Sequence, residues 1–345
     1  MRAAVLLSGL LLLAAASCSG QSATEEITFR SGPFTLVGDL NLPQGRGPFP
    51  VVIFVHGDGP NDRTSTYPPI MDRMLRAGFA TFAWDKPGTG ESTGEIDRSR
   101  LQHERAQIVL DAIEVLRSRA DIDPQWIGMW GISQAGYVMP RVLQRGGDVA
   151  FMIAVSCPGV PGVDQGAYLL AAQAVCAGLP EKDRTEVEHL FSAIERARTY
   201  EEYVRYKHAL ADYPAVASLE GLLGVNVGYI RPREDWHLDD LEGDYYWDPV
   251  TVIDTITIPV LAVFGAKDTQ IDPVQGAEAY REALARGGDP RSRVELVPET
   301  DHNILLSETG CLVERERRSR AGWRNYPPAY LDLIEEWLTG LRRRR

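Results

Sequence analysis

The run from Trp126 to Gly136, WIGMWGISQAG, limits what this chain can fold into more than any other stretch: an apolar segment ends abruptly at Gly131-Ile132-Ser133-Gln134-Ala135-Gly136. It reads as a buried strand driven into a sharp strand-to-helix turn that presents one serine. Such a turn is crowded and strained, so small residues must flank the serine. Gly131, Ala135 and Gly136 do so; the second small position of the usual Gly-x-Ser-x-Gly pattern is Ala135 here, and Gly136 follows one residue later.

A serine hydroxyl is a weak nucleophile near neutral pH. It needs a base to take its proton and an acid to fix the tautomer of that base. With this kind of turn the partners follow in the order Ser, Asp or Glu, His. Of the six histidines, only His302 lies beyond the last strong apolar strand pattern. Before it, PVLAVFGAKD (Pro259 to Asp268) is an apolar run that ends in a turn and a carboxylate, and RVELVPETDH ends at His302 in the same way. Asp268 thus falls at a strand's carboxyl end, where open α/β sheets place their chemistry. Taken singly, Asp268 also fits a turn residue or helix cap, and Asp301 is a rival carboxylate that points the wrong way as a neighbour of His302. Taken together, Ser133, Asp268 and His302 are the expected triad.

Acyl transfer also needs donors for the oxyanion that forms on the attacked carbonyl. The amide of Gln134, just after the nucleophile and at the start of a helix, is one. The strand PVVIFV (Pro50 to Val55) runs into His56-Gly57-Asp58-Gly59-Pro60, and the amide of Asp58 is expected to be the second. His56 is read as a residue that orders this loop, not as a base.

The segments VIFVHGDGPNDR, FAWDKPGTGES, WIGMWGISQAG and VFGAKD followed by TDHNIL together resemble the α/β-hydrolase superfamily, in its serine esterase and serine peptidase branch. The resemblance spans about Ile27 to Leu341. It implies an acyl-enzyme mechanism on the three residues named. The loop and turn segments are similar to bacterial carboxylesterases whose loop reads His-Gly-Ser-Gly-Pro. Asp58 stands where that branch has Ser, so only its backbone amide is expected to face the site.

The expected fold is α/β: a mostly parallel eight-stranded sheet flanked by helices, with an inserted helical cap. Strand patterns fall at 27–31, 34–42, 51–55, 79–84, 126–132, 151–156, 259–264 and 293–297, alternating with helices after the third. Arg98 to Ala120 carries Leu101, Ile108, Val109, Ala112, Ile113, Val115 and Leu116 at helical spacing and reads as a core-facing helix. DKPGTGES (Asp85 to Ser92) is glycine-rich but lacks the order of a nucleotide loop, so it reads as a turn. The expected division is a signal peptide over 1–17, core over 18–158, a cap over 159–256 and core again over 257–345. In the cap, Trp236, Tyr245, Tyr246 and Trp247 fit packing onto the core, with a substrate pocket as the other reading.

A net charge of −12 disfavours nucleic acid as a partner, and 44% hydrophobic residues in a chain of 345 suffice for one large core. A small ester is the expected substrate. The scattered histidines and cysteines form no zinc pattern, the acids match no calcium loop, and no cofactor is called for. At the N-terminus, Arg2 and the apolar run Ala3 to Ala16 form an export signal too short to span a membrane stably. Two processing routes fit: a lipoprotein box at Ala15-Ala16-Ser17-Cys18 that would make Cys18 the lipid-bearing residue, or ordinary cleavage after Ala14-Ala15-Ala16. Either places the enzyme outside the cytoplasm, in the cell envelope or secreted, with a lipid anchor as its membrane contact. Cys157, Cys176 and Cys311 allow one bridge and one free thiol, with no pairing deducible.

Two rivals to ester hydrolysis remain open on sequence. One is a serine peptidase or acyl-aminoacyl hydrolase with the same triad. The other is a non-catalytic envelope protein that keeps the fold as a binding module.

Overall fold

Eight strands hydrogen-bond in the order β1-β2-β4-β3-β5-β6-β7-β8. They are β1 (Ala23–Ser31), β2 (Phe34–Leu42), β3 (Phe49–Val55), β4 (Ala80–Trp84), β5 (Ile122–Ile132), β6 (Phe151–Val155), β7 (Val260–Gly265) and β8 (Arg293–Val297). The β1–β2 and β2–β4 pairs are antiparallel and the other pairs are parallel. The computed structural model describes residues 23–64, 67–97, 100–224, 226, 228–236, 243–320 and 325–343. Cys18 and the 1–17 segment lie outside them.

The strands β3, β6 and β7 are apolar along their whole length because both faces are covered. Every residue of β4, β6 and β7 is buried. On one face pack α2 (Leu101–Arg117) and α3 (Ala135–Gln144), and on the other α1 (Pro68–Arg76). Ile108, Val109 and Ala112 of α2 and Val138 of α3 join Val51, Ile53 and Met129 in one apolar cluster. Ile70 and Met74 of α1 join Val52, Phe54 and Trp130 in the other. Alternate residues of one strand thus feed opposite layers, as the strand period of two requires.

Between β6 and β7 the chain forms α4 (Gly162–Cys176), α5 (Arg184–Glu195), α6 (Tyr200–Ala211), α7 (Pro214–Ala217), α8 (Glu220–Leu223) and α9 (Val250–Ile253). Leu170, Leu190, Leu210 and Val216 give this insertion an apolar cluster of its own. Thr199 starts α6 with a capping box, accepting from the Glu202 amide while the Glu202 carboxylate accepts from the Thr199 amide. The insertion's last stretch returns to the core at Asp244. Its Oδ2 accepts from the amides of Gln102 and His103 at the start of α2, and its Oδ1 pairs with Arg141 of α3 at 2.7 Å. Trp236 packs against Tyr200 and Tyr203, and Trp247 lies beneath the Arg141 guanidinium. Trp236 thus packs within the insertion and not onto the core as expected, while Trp247 does pack onto the core.

After β7 come α10 (Pro273–Ala285), then beyond β8 α11 (Leu312–Arg320) and α12 (Pro328–Arg343). Asp272 caps α10 by accepting from the amides of Val274 and Gln275. A disulfide joins Cys176 at the end of α4 to Cys311 just before α11, and Cys157 is a buried free thiol. Among the described residues no helix is long and apolar enough to cross a membrane.

Candidate active site

Ser133 directly follows β5 with φ of 59°, a left-handed conformation that is costly for a residue with a side chain. Its own amide donates to Val155 of β6, and its carbonyl accepts from Gly136 as α3 begins. The turn is tight enough that a methyl group at Gly131 would lie 2.6 Å from the Ala135 Cβ. Only one of those two positions therefore tolerates a side chain, and that is why Ala can stand at 135.

The loops after β7 and β8 carry Asp268 and His302. They approach so closely that a methyl group at Gly265 would lie 2.1 Å from the Asp301 carbonyl. Because β5 to β8 are parallel neighbours, Ser133, Asp268 and His302 all follow carboxyl ends on one edge of the sheet. The structure joins two of them directly: His302 Nδ1 lies 2.8 Å from Asp268 Oδ2, both side chains buried. A carboxylate only accepts, so Nδ1 carries the proton and Nε2 is the basic nitrogen. The other Asp268 oxygen accepts from the amides of Gln270 and Ile271.

Asp301 is engaged elsewhere. It accepts from the amides of Asn303 and Leu305 and pairs with Arg318 of α11. The insertion also reaches the acid loop: Tyr168 of α4 donates to the Asp268 carbonyl at 2.8 Å, and Gln173 donates to Thr269 Oγ1 at 2.7 Å.

The loop after β3 lies against the serine turn. His56 is buried, and its Nε2 donates to the Trp84 carbonyl at 2.9 Å. Burial pushes its pKa down to about 4, so its imidazole is neutral at ordinary pH. Asp58 turns its carboxylate to the Gln134 side chain, whose Nε2 donates to it at 3.2 Å. Gln134 precedes the first residue of α3, where backbone N–H groups have no partner inside the helix.

Two basic side chains behind this loop were not singled out by sequence. Lys86 donates to the carbonyls of Gly57 and Gly59 at 2.5 and 2.7 Å, and Arg105 donates to the His56 carbonyl and to Gln134 Oε1. Burial lowers both, Lys86 to about 6 and Arg105 to about 10. A signal existed for Arg105, because it shares the helical stripe of Leu101, Ile108, Val109 and Ala112, where a cation is out of place. Lys86 is set by the turn after β4, in which Asp85 accepts from the amides of Arg63 and Glu91. Among the described residues no group of three or more His, Cys, Asp or Glu could hold a metal ion.

A twisted, mostly parallel sheet with a left-handed serine after its fifth strand and a buried Asp–His pair after its last two is the α/β-hydrolase fold. The esterase Pf2001 of Pyrococcus furiosus shares it over 92% of both chains, with a TM-score of 0.52 at 15% identity. DcsB, solved with a substrate analogue, shares it over 92% of this chain and 98% of its own, with a TM-score of 0.53 at 16% identity. The chain belongs to the family described as X-Pro dipeptidyl-peptidase (S15 family), whose model matches residues 32–302. That places it among the esterase- and peptidase-type hydrolases of this fold. Esterase EstD of Thermotoga maritima is 26% identical over 282 residues, which cover 79% of this chain but only 58% of the esterase. A 31.7 kDa protein of uncharacterized function from the traX-finO intergenic region of Escherichia coli is 34% identical over 294 residues, covering 82% of this chain and 93% of its own.

Proposed function

We propose that this chain is a serine hydrolase of carboxylic esters that works through an acyl-enzyme. The observation that carries the reading is the buried Asp268–His302 hydrogen bond on the sheet edge where β5 presents Ser133. In this scheme His302 Nε2 takes the Ser133 proton as Oγ attacks the ester carbonyl. The oxyanion is met by the amides of Asp58 and Gln134, each worth roughly 3 kcal/mol to the transition state. His302 then gives its proton to the departing alcohol, and water cleaves the acyl-enzyme by the same route. Asp268 holds the imidazole in the required tautomer and offsets its charge in each step.

The esterase activity named for the EstD relative supports ester hydrolysis. The family's own description supports a second reading, cleavage of a peptide amide by the same residues. A fluorophosphonate probe, applied to the protein and to Ser133→Ala, tests the nucleophile; aryl esters of increasing acyl length beside an X-Pro anilide test the bond. Labelling of the unsubstituted protein alone, with ester turnover, is expected. Substantial turnover by a clean Ser133→Ala preparation would overturn the scheme, and a folded protein that is not labelled would return the weight to a binding module.

We further propose that the enzyme is exported. The apolar N-terminal run supports this, as does the Cys176–Cys311 bridge, since disulfides persist in oxidising compartments. A lipid on Cys18 would leave the chain in the membrane fraction and Cys18→Ser would release it; an unchanged distribution would overturn the anchor.

A further inference from the structure

We propose that Lys86 and Arg105 are positioning residues of the oxyanion hole, each gripping one of two successive peptide planes in the loop after β3. The proposal rests on the serine-hydrolase reading above. It starts from peptide geometry. In a trans peptide the C=O of one residue and the N–H of the next lie in one plane and point in opposite directions. The cis bond among the described residues is Gly47–Pro48, so the peptides of this loop are trans. The Gly57 carbonyl accepts from Lys86 Nζ at 2.5 Å. The amide of Asp58, the expected oxyanion donor, is therefore directed away from Lys86. The His56 carbonyl accepts from Arg105, which directs the Gly57 amide away from that guanidinium. This backbone runs beside the nucleophile: a methyl group at Gly57 would lie 3.3 Å from the Ser133 Cβ.

Arg105 also ties the second donor to the first. One of its nitrogens donates to Gln134 Oε1, which turns the other end of that amide, Nε2, toward Asp58 Oδ1 at 3.2 Å. The guanidinium fork suits this task because its several N–H groups are fixed in one plane. A single rigid group thus spans the two segments that bear the expected amides. Asp at position 58, where the resembling carboxylesterases have Ser, acquires a role in the same frame: its carboxylate accepts from Gln134 and is the acid that acts electrostatically on both basic groups.

Packing alone does not account for these side chains. Arg105 is 5% exposed and Lys86 8%, and among the described residues neither lies within ion-pair distance of a carboxylate. Burying Arg105 as a cation without such a partner is unfavourable, as is holding Lys86 largely without its proton, and an apolar residue would fill either space at lower cost. Lys86, brought down to about 6, is largely a neutral amine at neutral pH, and its two remaining N–H groups match its two carbonyl acceptors.

Lys86→Met and Arg105→Lys test this, with aryl-ester kinetics and the affinity for two ketones as readouts. A trifluoromethyl ketone forms a hemiketal whose oxyanion occupies the hole, and the matching methyl ketone does not. Lys86→Met is expected to lower kcat by about 10²–10³-fold with KM within about threefold, as for loss of one oxyanion donor. Trifluoromethyl ketone affinity should fall in parallel while methyl ketone affinity holds. Arg105→Lys keeps the charge but loses the fork, and a smaller loss of the same pattern is expected. Unchanged kcat in both folded variants would overturn the proposal, as would a loss that leaves the affinity ratio of the two ketones intact. If Lys86→Met does not fold, Arg105→Lys decides by the same ratio. Ser133→Ala, run alongside, separates the two levels: its loss of turnover with unaffected Lys86 and Arg105 variants sinks the positioning role alone, whereas its retention of turnover sinks the hydrolase reading.

Discussion

Asp268 uses both of its oxygens: Oδ2 lies 2.8 Å from His302 Nδ1, and Oδ1 accepts the amides of Gln270 and Ile271 at 2.7 and 3.0 Å. The backbone bonds hold the carboxylate in place whether or not the imidazole is charged, so its loss should affect chemistry more than folding. Asp268→Asn presents an amide that can donate to Nδ1 and so favours the wrong histidine tautomer. The expected result is a fall in kcat of about 10⁴-fold with little change in KM or in thermal unfolding. Steady-state ester kinetics with a melting curve on the same sample check this. A loss below tenfold would remove Asp268 from the proposed mechanism.

The strands were legible where burial on both faces wrote an unbroken apolar run, as in β3, β6 and β7. They were not legible where the strand leaves the core. β5 begins at Ile122, earlier than its apolar stretch, because Asp123-Pro124-Gln125 is polar and the pairing with β3 shifts register between Phe49 and Val51. β1 begins at Ala23 because an edge strand with exposed residues such as Glu25 and Glu26 carries no hydrophobic pattern there. Ser133 and Asp268 were readable as candidates since each follows such a run, whereas His302 follows the half-exposed, alternating strand β8 and was readable from the order Ser, Asp, His. Lys86 was not, because its partners are backbone carbonyls, and sequence does not say where a carbonyl points; Arg105 showed only as a cation in an apolar helical stripe, and neither of its acceptors, the His56 carbonyl and Gln134 Oε1, could be read from that.

His56 makes a prediction about acid. Its folded pKa is about 4 against an ordinary 6.5, through burial. The unfolded chain therefore binds this proton first as pH falls, and the folded state loses stability between pH 6.5 and 4, with the loss complete below 4. The size is about 3 kcal/mol. Lys86 acts in the same direction but mainly above pH 6, its folded pKa being about 6 against 10.5. Urea unfolding at pH 6.5 and 4 should show a smaller difference in His56→Phe than in the unsubstituted protein; equal differences would mean that His56 stays uncharged in the unfolded chain or charged in the fold.

Asp244 ties the insertion to the helix that carries Arg105. The residue preceding α2, Arg100, makes no side-chain cap, and Asp244 performs that service from far along the chain by accepting from Gln102 and His103. It also holds Arg141. Asp244→Ala removes a cap worth about 1 kcal/mol and charged hydrogen bonds of similar size, so a destabilisation of about 2–3 kcal/mol is expected. Chemical denaturation measures it, and a change under 0.5 kcal/mol would show that water replaces the carboxylate without cost.

The Cys176–Cys311 bridge joins residues 135 apart in sequence and closes the loop that contains Asp268 and His302. In the chain-entropy view such a link stabilises by about 5 kcal/mol, and reduction should lower the melting temperature accordingly. Its position adds an effect on activity. Near the bridge, Gln173 donates to Thr269 and accepts from the Leu312 amide, and Thr269 Oγ1 donates to the Gly310 carbonyl. Those bonds connect α4 to the segment beside Asp268 without help from the sulfurs. Reduction well below the melting temperature is therefore expected to leave ester turnover within about twofold while unfolding comes earlier on heating. Cys157 is buried with its thiol pKa pushed up, so it should not exchange into the pair while the fold persists. Melting curves and initial rates with and without dithiothreitol decide it: a rate that falls with reduction at low temperature would mean that the sulfurs, and not the Gln173 bonds, hold the acid loop.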